Sequence, residues 1–399
     1  MYDQNSFSAL PVSAGAHPDR ASAVMAAVVV SMIAMGAFLI LPLLIGAVAV
    51  ELSLSESQLG VLSTAAMSGS AISSLLAVVW VRRVNWRLAG YLGISTMLVA
   101  HIGSLLVESF ALFAVLQFLA GLGAGAVYSV ALTALSDNRN ADRCFGYSIA
   151  AQVTFQVVGM LALSSPVADY GLEPVLLTLV AMDGVALLLL FWLPDQGSQS
   201  SQQAVFTVVR NPLVLLTLAG CFLFFLNVGV FWTFIERIGA AAGFDAAHIG
   251  ISLAVGVSFG VPGALLASWC GARFGRLLPL ALGALITVAS IVVLVIAMTP
   301  TGYLMALALY NFGWNFSLAF QYAAVNAADK SGRGVAVAPA FHGLGAAAGP
   351  ALAAAFVGNA DFRAVYVLSA AGVVASLALF VFASLRQRST HMSPALCTE

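Results

Sequence analysis

Three ionisable side chains interrupt long apolar runs of this sequence: Asp183 in "LVAMDGVALLLL", Glu236 in "FWTFIERIG" and His342 in "GRGVAVAPAFHGLGAAAGP". Such groups are costly in hydrocarbon and mark places where a proton or ion is handled. A wet histidine also titrates in the physiological range. These three are therefore the proton-coupling candidates. Each has a plainer alternative: a protonated Asp183 capping a local polar contact, Glu236 as a hydrated rim residue beside Arg237, and His342 as a satisfied packing residue. His101 is the available partner for Asp183, but upright helices leave the two about 7 Å apart along the membrane normal, and no close pairing is expected.

Around these lie side chains suited to hold a solute. In "YNFGWNFSLAFQYAAVN", Tyr310 to Asn326, a turn of about 100° per residue puts Asn311, Asn315, Tyr322 and Asn326 within an arc of roughly 60°, flanked by Trp314. Amides in hydrocarbon need partners, so this face reads as a cavity wall that bonds a solute, or as interhelical glue. Phe225, Gly229, Trp232 and Glu236 share a second narrow face, on which Trp232 is either a stacking platform or an interfacial anchor. Tyr128, Gln152 and Gln156 complete the expected substrate-binding set. Asp137 with Arg143, and Asp329 with Arg333, read as cytoplasmic gate-stabilising ion pairs or as plain hydrated loop charges.

No arginine or lysine lies deep in an apolar run, which disfavours a clamped phosphate or dicarboxylate. Amides, hydroxyls and aromatics favour a neutral, zwitterionic or weakly acidic organic solute with apolar bulk. Cys144, Cys221, Cys270 and Cys397 show no metal spacing, and no cofactor or metal is expected. "GVSFG", Gly256 to Gly260, matches the G-x-S-x-G pattern of serine hydrolases, but that motif needs a strand-turn-helix setting. No basic cluster suggests nucleic acid.

The elements that must position these residues follow from composition. The chain is 61% hydrophobic and 8% charged over 399 residues, against about 25% charged in soluble domains. It reads as an all-α, multi-pass membrane protein with twelve transmembrane helices: 22–48, 57–80, 88–107, 110–135, 145–165, 173–193, 212–235, 248–271, 277–298, 302–327, 335–357 and 363–385. The first is too long for a cleavable signal peptide, and its flank lacks that form. With both termini cytoplasmic, thirteen Lys and Arg fall inside and only Arg237 and Arg363 outside.

Sliding the sequence by 190 residues pairs Gly60 with Gly250, Ser68 with Ser258, Arg83 with Arg273, Arg143 with Arg333, Gln152 with His342 and Gly159 with Gly349. Two parallel six-helix repeats are expected: 1–194 and 212–399, joined by a Ser/Gln-rich cytoplasmic linker at 195–211. This is the plan of many secondary carriers, whose site lies between the repeats near mid-membrane.

At these residues the sequence resembles the major facilitator superfamily, over essentially the whole chain. "LQFLAGLGAG", Leu116 to Gly125, is similar to that family's fourth helix, "GARFGR", Gly271 to Arg276, to its loop between helices 8 and 9, and "GAAAGP", Gly345 to Pro350, to the kink of antiporter members. The loop "WVRRVNWR" keeps the family's arginines without its acid, and Gln117 replaces a frequent arginine; no branch is assigned. The resemblance implies alternating access with helices 1, 4, 7 and 10 lining the site and helix 6 set away from it. It implies a monomeric carrier in the cytoplasmic (inner) membrane whose partners are a small-molecule solute, protons and the lipid bilayer. Compact loops resemble efflux members; a catabolic uptake permease is the alternative, and an intramembrane serine hydrolase or a non-transporting sensor are remote ones.

Overall fold

A computed structural model describes residues 19–196, 211–271, 273–329, 333–358 and 361–392, except the side chains of 78, 141–142, 333, 335–336 and 388–392. Most of the linker, Lys330 and Cys397 lie outside the described residues. The first predicted span is a broken run: α1 (Ala21–Ala34), α2 (Gly36–Leu39) and α3 (Leu41–Glu51). Then follow α4 (Glu56–Trp80), α5 (Trp86–Leu105), α6 (Phe110–Ser136), α7 (Ala141–Tyr170) and α8 (Glu173–Leu189). Past the linker come α9 (Pro212–Ala241), a second broken pair α10 (Ala246–Ser258) and α11 (Gly260–Cys270), α12 (Leu277–Ile296), α13 (Pro300–Ala328), α14 (Arg333–Ala354) and α15 (Arg363–Met392). Among the described residues there is no strand beyond one isolated bridge, Gly358 to Asp361.

Among the described residues nine helical spans are long and apolar enough to cross a membrane, α10 and α11 together making one of them. Large apolar residues such as Leu75, Leu188, Leu265 and Ile296 are exposed on the outside of the bundle, as lipid requires. The 29-residue α13 has the length but not the apolarity, because Asn311, Asn315, Gln321 and Asn326 interrupt it.

The prolines explain how the broken spans are held. Pro42 has no N–H for the Phe38 carbonyl four residues back. The Trp232 indole of α9 crosses from the C-terminal set of helices and donates to that carbonyl at 3.1 Å. Gln156 of α7 donates to the next one, Leu39, at 3.1 Å. Pro350 likewise leaves the Ala346 carbonyl without its helical donor, and there α9 comes so close that a Cβ at Gly229 would collide with the oxygen. A Cβ at Gly349 would collide with the Leu226 carbonyl, so small residues on both helices let their backbones meet. The α14 backbone around Pro350 thus packs directly against α9.

The 190-residue repeat reappears as paired contacts. A Cβ at Gly60 would lie 2.7 Å from the Pro350 carbonyl and 2.6 Å from the Ala354 Cβ. At Gly250 it would meet the Ser164 side chain and lie 3.5 Å from the Met160 carbonyl, the counterpart of each residue 190 positions away. Within each set, Gly93 meets Gly123 and Val127, and Gly283 meets Gly313 and Ser317, again in register.

Trp232→Phe keeps the ring and removes the N–H. It is expected to lower unfolding stability by about 1–3 kcal/mol, the cost of an orphaned buried acceptor, read as a lower Tm in detergent. An unchanged Tm would contradict the assignment.

Candidate functional site

A cavity of about 270 Å³ opens between the two sets of helices. The N-terminal set supplies Met35, Phe38 and Leu41 around the broken first span, Ser70 and Ser74 from α4, His101 from α5, and Gln117 and Tyr128 from α6. The C-terminal set supplies Phe225 from α9, Tyr322 from α13, and Pro339, His342 and Gly343 from α14. Among the described residues, none that lines it is Asp, Glu, Lys or Arg. The lining is otherwise apolar, and α14 contributes more of it than α9 or α13.

His342 is the best-defined group on this wall. Its ring stacks on Phe225 with centroids 4.0 Å apart, and the Tyr322 hydroxyl lies 3.4 Å from Nδ1. Its Nε2 is buried without a partner. Across the site, His101 Nδ1 lies 2.6 Å from Asp183 Oδ2, both side chains 1% exposed. His101 Nε2 is also unpartnered. The 7 Å separation expected from sequence is therefore corrected: α5 and α8 pack together, and tilt and stagger bring the two depths level. Asp183 itself does not line the cavity; it reaches it through His101.

Other expectations are redirected. Asn311 and Asn315 do not line the cavity. Their side-chain amides donate to the carbonyls of Leu307 and Asn311, at 3.0 and 2.9 Å, and Asn315 packs on Gly260 at the break between α10 and α11. Helices cross at angles, so one face of α13 meets α10 and α11 at one depth and the cavity, through Tyr322, at another. Trp314 stands edge-on to Phe225 and Trp232, at 6.0 and 6.4 Å, behind the lining. Trp232 is fully buried, neither a stacking platform nor an interfacial anchor. Gln152 donates to Ser148 at 3.0 Å, and Ser148 meets Ser31 at 2.7 Å, so Gln152 ties α7 to α1, while Gln156 holds the Leu39 carbonyl. Neither glutamine lines the cavity.

Glu236 sits at one end of the bundle, its carboxylate pressed onto Gly46 of α3. Arg237 stands between it and Glu56, 3.8 Å from Glu236 Oε2 and 3.4 Å from Glu56 Oε1. Together with the contacts at Gly60 and Gly250, this ion cluster closes the end bearing the turns after α3 and α9. At the opposite end Asp137 pairs with Arg82, in a fork with bonds of 2.9 and 3.0 Å, and not with Arg143, whose guanidinium turns to the Tyr147 ring and hydroxyl. The arginine of "WVRRVNWR" thus finds its acid on α6. Asp329 accepts the Gly334 N–H at 3.1 Å; the Arg333 side chain lies outside the described residues. Ser70 and Ser74, spaced four apart on one face of α4, were the lining residues missed from sequence, and that spacing was their signal.

Ser258 donates to the Val255 carbonyl of its own helix at 2.6 Å. That is no nucleophile elbow.

A helical bundle enclosing an uncharged internal cavity between two sets of helices related by a repeat is the architecture of a carrier. The chain belongs to the Major Facilitator Superfamily, whose family model matches residues 26–338. It is a multi-pass membrane transporter, not an enzyme. No curated protein matches it in sequence. Among solved structures it is similar to the nucleoside transporter NupG, at 12% identity and TM-score 0.74, over 90% of this chain and 98% of that one. It is similar also to a D-xylose-proton symporter, at 14% identity and TM-score 0.72, over 90% of this chain and 96% of that one. A third is a bacterial homolog of the human lysosomal transporter Spinster in an inward-facing, occupied conformation, at 14% identity and TM-score 0.69, over 94% and 99%. At such identities the likeness is one of fold.

His101→Ala should strand Asp183 in the bundle and lower unfolding stability by about 3 kcal/mol. In a double-mutant cycle with Asp183→Ala the losses should fall short of additive by about 1–3 kcal/mol. Additive losses in urea or thermal unfolding would show that the two do not act as a pair.

Proposed function

We propose that the chain crosses the membrane twelve times with both termini in the cytoplasm, and carries a small, uncharged or weakly acidic organic solute with apolar bulk by alternating access. The observation that carries this reading is the cavity itself: it lies between the two sets of helices and takes polar groups from both, with no Asp, Glu, Lys or Arg among its described lining residues. A clamped phosphate or a permanent cation has no counter-charge there.

Residues 1–194 and 212–399 are the two moving halves, with 195–211 as linker. The positive-inside bias puts the turns after α3 and α9 outside. The end closed by Gly60, Gly250 and the Glu56–Arg237–Glu236 cluster is then the outer gate, and the conformation is inward-facing. The paired glycine contacts support a rocking motion, since van der Waals contacts between small residues part without leaving buried polar groups unsatisfied. Arg82 with Asp137 braces the inner end of the N-terminal half, and Gly349 and Pro350 let α14 bend where it meets α9. Trp314 backs the aromatic wall formed by Phe225.

Coupling to protons rests on the His101–Asp183 pair, which holds a shared proton beside the cavity. Glu236, at the outer gate, is the group that meets external protons.

The test is uptake into proteoliposomes with and without an imposed pH gradient, using a solute found by thermal-shift screening of aromatic acids, amino-acid-like metabolites, drugs and neutral amphiphiles. Asp183→Asn should abolish the gradient-driven component and retain exchange at equal pH. Gradient-driven uptake at the parent rate in that variant would exclude the pair as coupler. Tyr322→Phe should weaken solute binding severalfold, whereas Asn311→Ala, on the far side of α13, should leave affinity unchanged; the reverse order would move the site off this cavity.

A further inference from the structure

The cavity leaves two imidazole nitrogens with nothing to bond, one from each set of helices, and their hydrogens can be assigned from their neighbours. The Tyr322 hydroxyl has no other hydrogen-bond partner among the described residues than His342 Nδ1. The phenol therefore donates, Nδ1 accepts, and the hydrogen of the neutral ring is on Nε2. For His101, a buried pair avoids net charge in either of two ways: imidazolium with carboxylate, or neutral imidazole accepting from a carboxylic acid. Both put a hydrogen on Nε2. Two residues of one cavity wall, 1% and 5% exposed, thus each carry a buried N–H donor that meets no protein acceptor among the described residues. A buried donor left unmatched costs about 1–3 kcal/mol, so the occupant is expected to bring acceptors.

We propose that the solute is a monocarboxylate with an apolar body, its carboxylate oxygens accepting from Nε2 of His101 and Nε2 of His342, and that it enters with one proton. This rests on the cavity being the transport site. The apolar body lies among Met35, Phe38, Leu41 and Phe225. The charge balance follows from the pair: starting from imidazolium and carboxylate, the incoming proton goes to Asp183, the imidazolium faces the solute anion, and the site stays neutral. Asp183 is a positioning residue that stores the proton without touching the solute. The titratable groups facing the site are few. Asp183 faces His101 from α8, Tyr128 stands on α6, and Tyr322 faces His342 from α13 with Cys221 of α9 behind it. The lining from α1 to α4 contributes none.

Matched probes separate this from the broader reading: 4-phenylbutyrate, 4-phenylbutyramide and 4-phenylbutylamine, titrated against the full-length protein in detergent with thermal shift and proton uptake as readouts. The carboxylate should bind tightest, taking up one proton per molecule in weakly buffered solution. His342→Asn, which withdraws the donor from the Nε2 position, should weaken it about tenfold, and His342→Gln, whose amide reaches that position, should restore most of the affinity. His101→Asn keeps a donor for Asp183, and so the fold as judged by Tm, but should lose affinity and proton uptake together. Preference for the amide or amine, or binding of the carboxylate without proton uptake, would overturn the inference and leave the carrier reading standing. Failure of all three probes and of every neutral amphiphile to stabilise the protein would overturn both.

Discussion

A backbone carbonyl that loses its helical donor inside a membrane has no water to turn to. Two such carbonyls organise this bundle. Pro42 frees Phe38, and Pro350 frees Ala346; α9 meets both, with the Trp232 indole at the first and the backbone beside Gly229 at the second. One helix is thereby committed to the broken first span on one side and to α14 on the other. It is also the most buried of the nine clear spans. All three elements contribute to the cavity wall, together with α4, α5, α6 and α13. At the first of these prolines α9 supplies the missing donor, and at the second it packs its backbone against the freed carbonyl.

The repeat sets what can move. Contacts at Gly60 and Gly250 are built from equivalent residues, and both join one set of helices to the other, whereas the Gly93–Gly123 and Gly283–Gly313 contacts lie within a set. Contacts of the second kind bring neighbouring backbones together inside one set. Contacts of the first kind are reinforced at one end by one arginine between two carboxylates. In the proposed cycle the first kind breaks and the second persists.

Much of this was legible in the sequence because membrane helices announce themselves by length and apolarity. Every expected span overlies a helix, and the offset of 190 matches contacts in space. Legibility failed where three-dimensional tilt decides. The pairing of His101 with Asp183 was discounted because upright helices put the two at different depths. Asn311, Asn315 and Tyr322 share a nominal face, but that face crosses from α10 and α11 to the cavity along its length. Asp137 was matched to the nearer arginine in sequence, Arg143, when Arg82 lay beside it across the loop. Trp232 was read for its ring, although its N–H decides its place; Pro42 announces the orphaned carbonyl at Phe38, but no sequence pattern states which distant side chain serves it.

In the proposed cycle the cavity is a pathway reached from one side of the membrane at a time. The decisive measurement is labelling of Ser70→Cys by an impermeant maleimide, in oriented proteoliposomes of a variant with the native cysteines replaced. Labelling is expected from the cytoplasmic face in the resting state, with a shift toward the outer face when Arg237→Gln loosens the opposite gate. Protection from both faces in both proteins would contradict it.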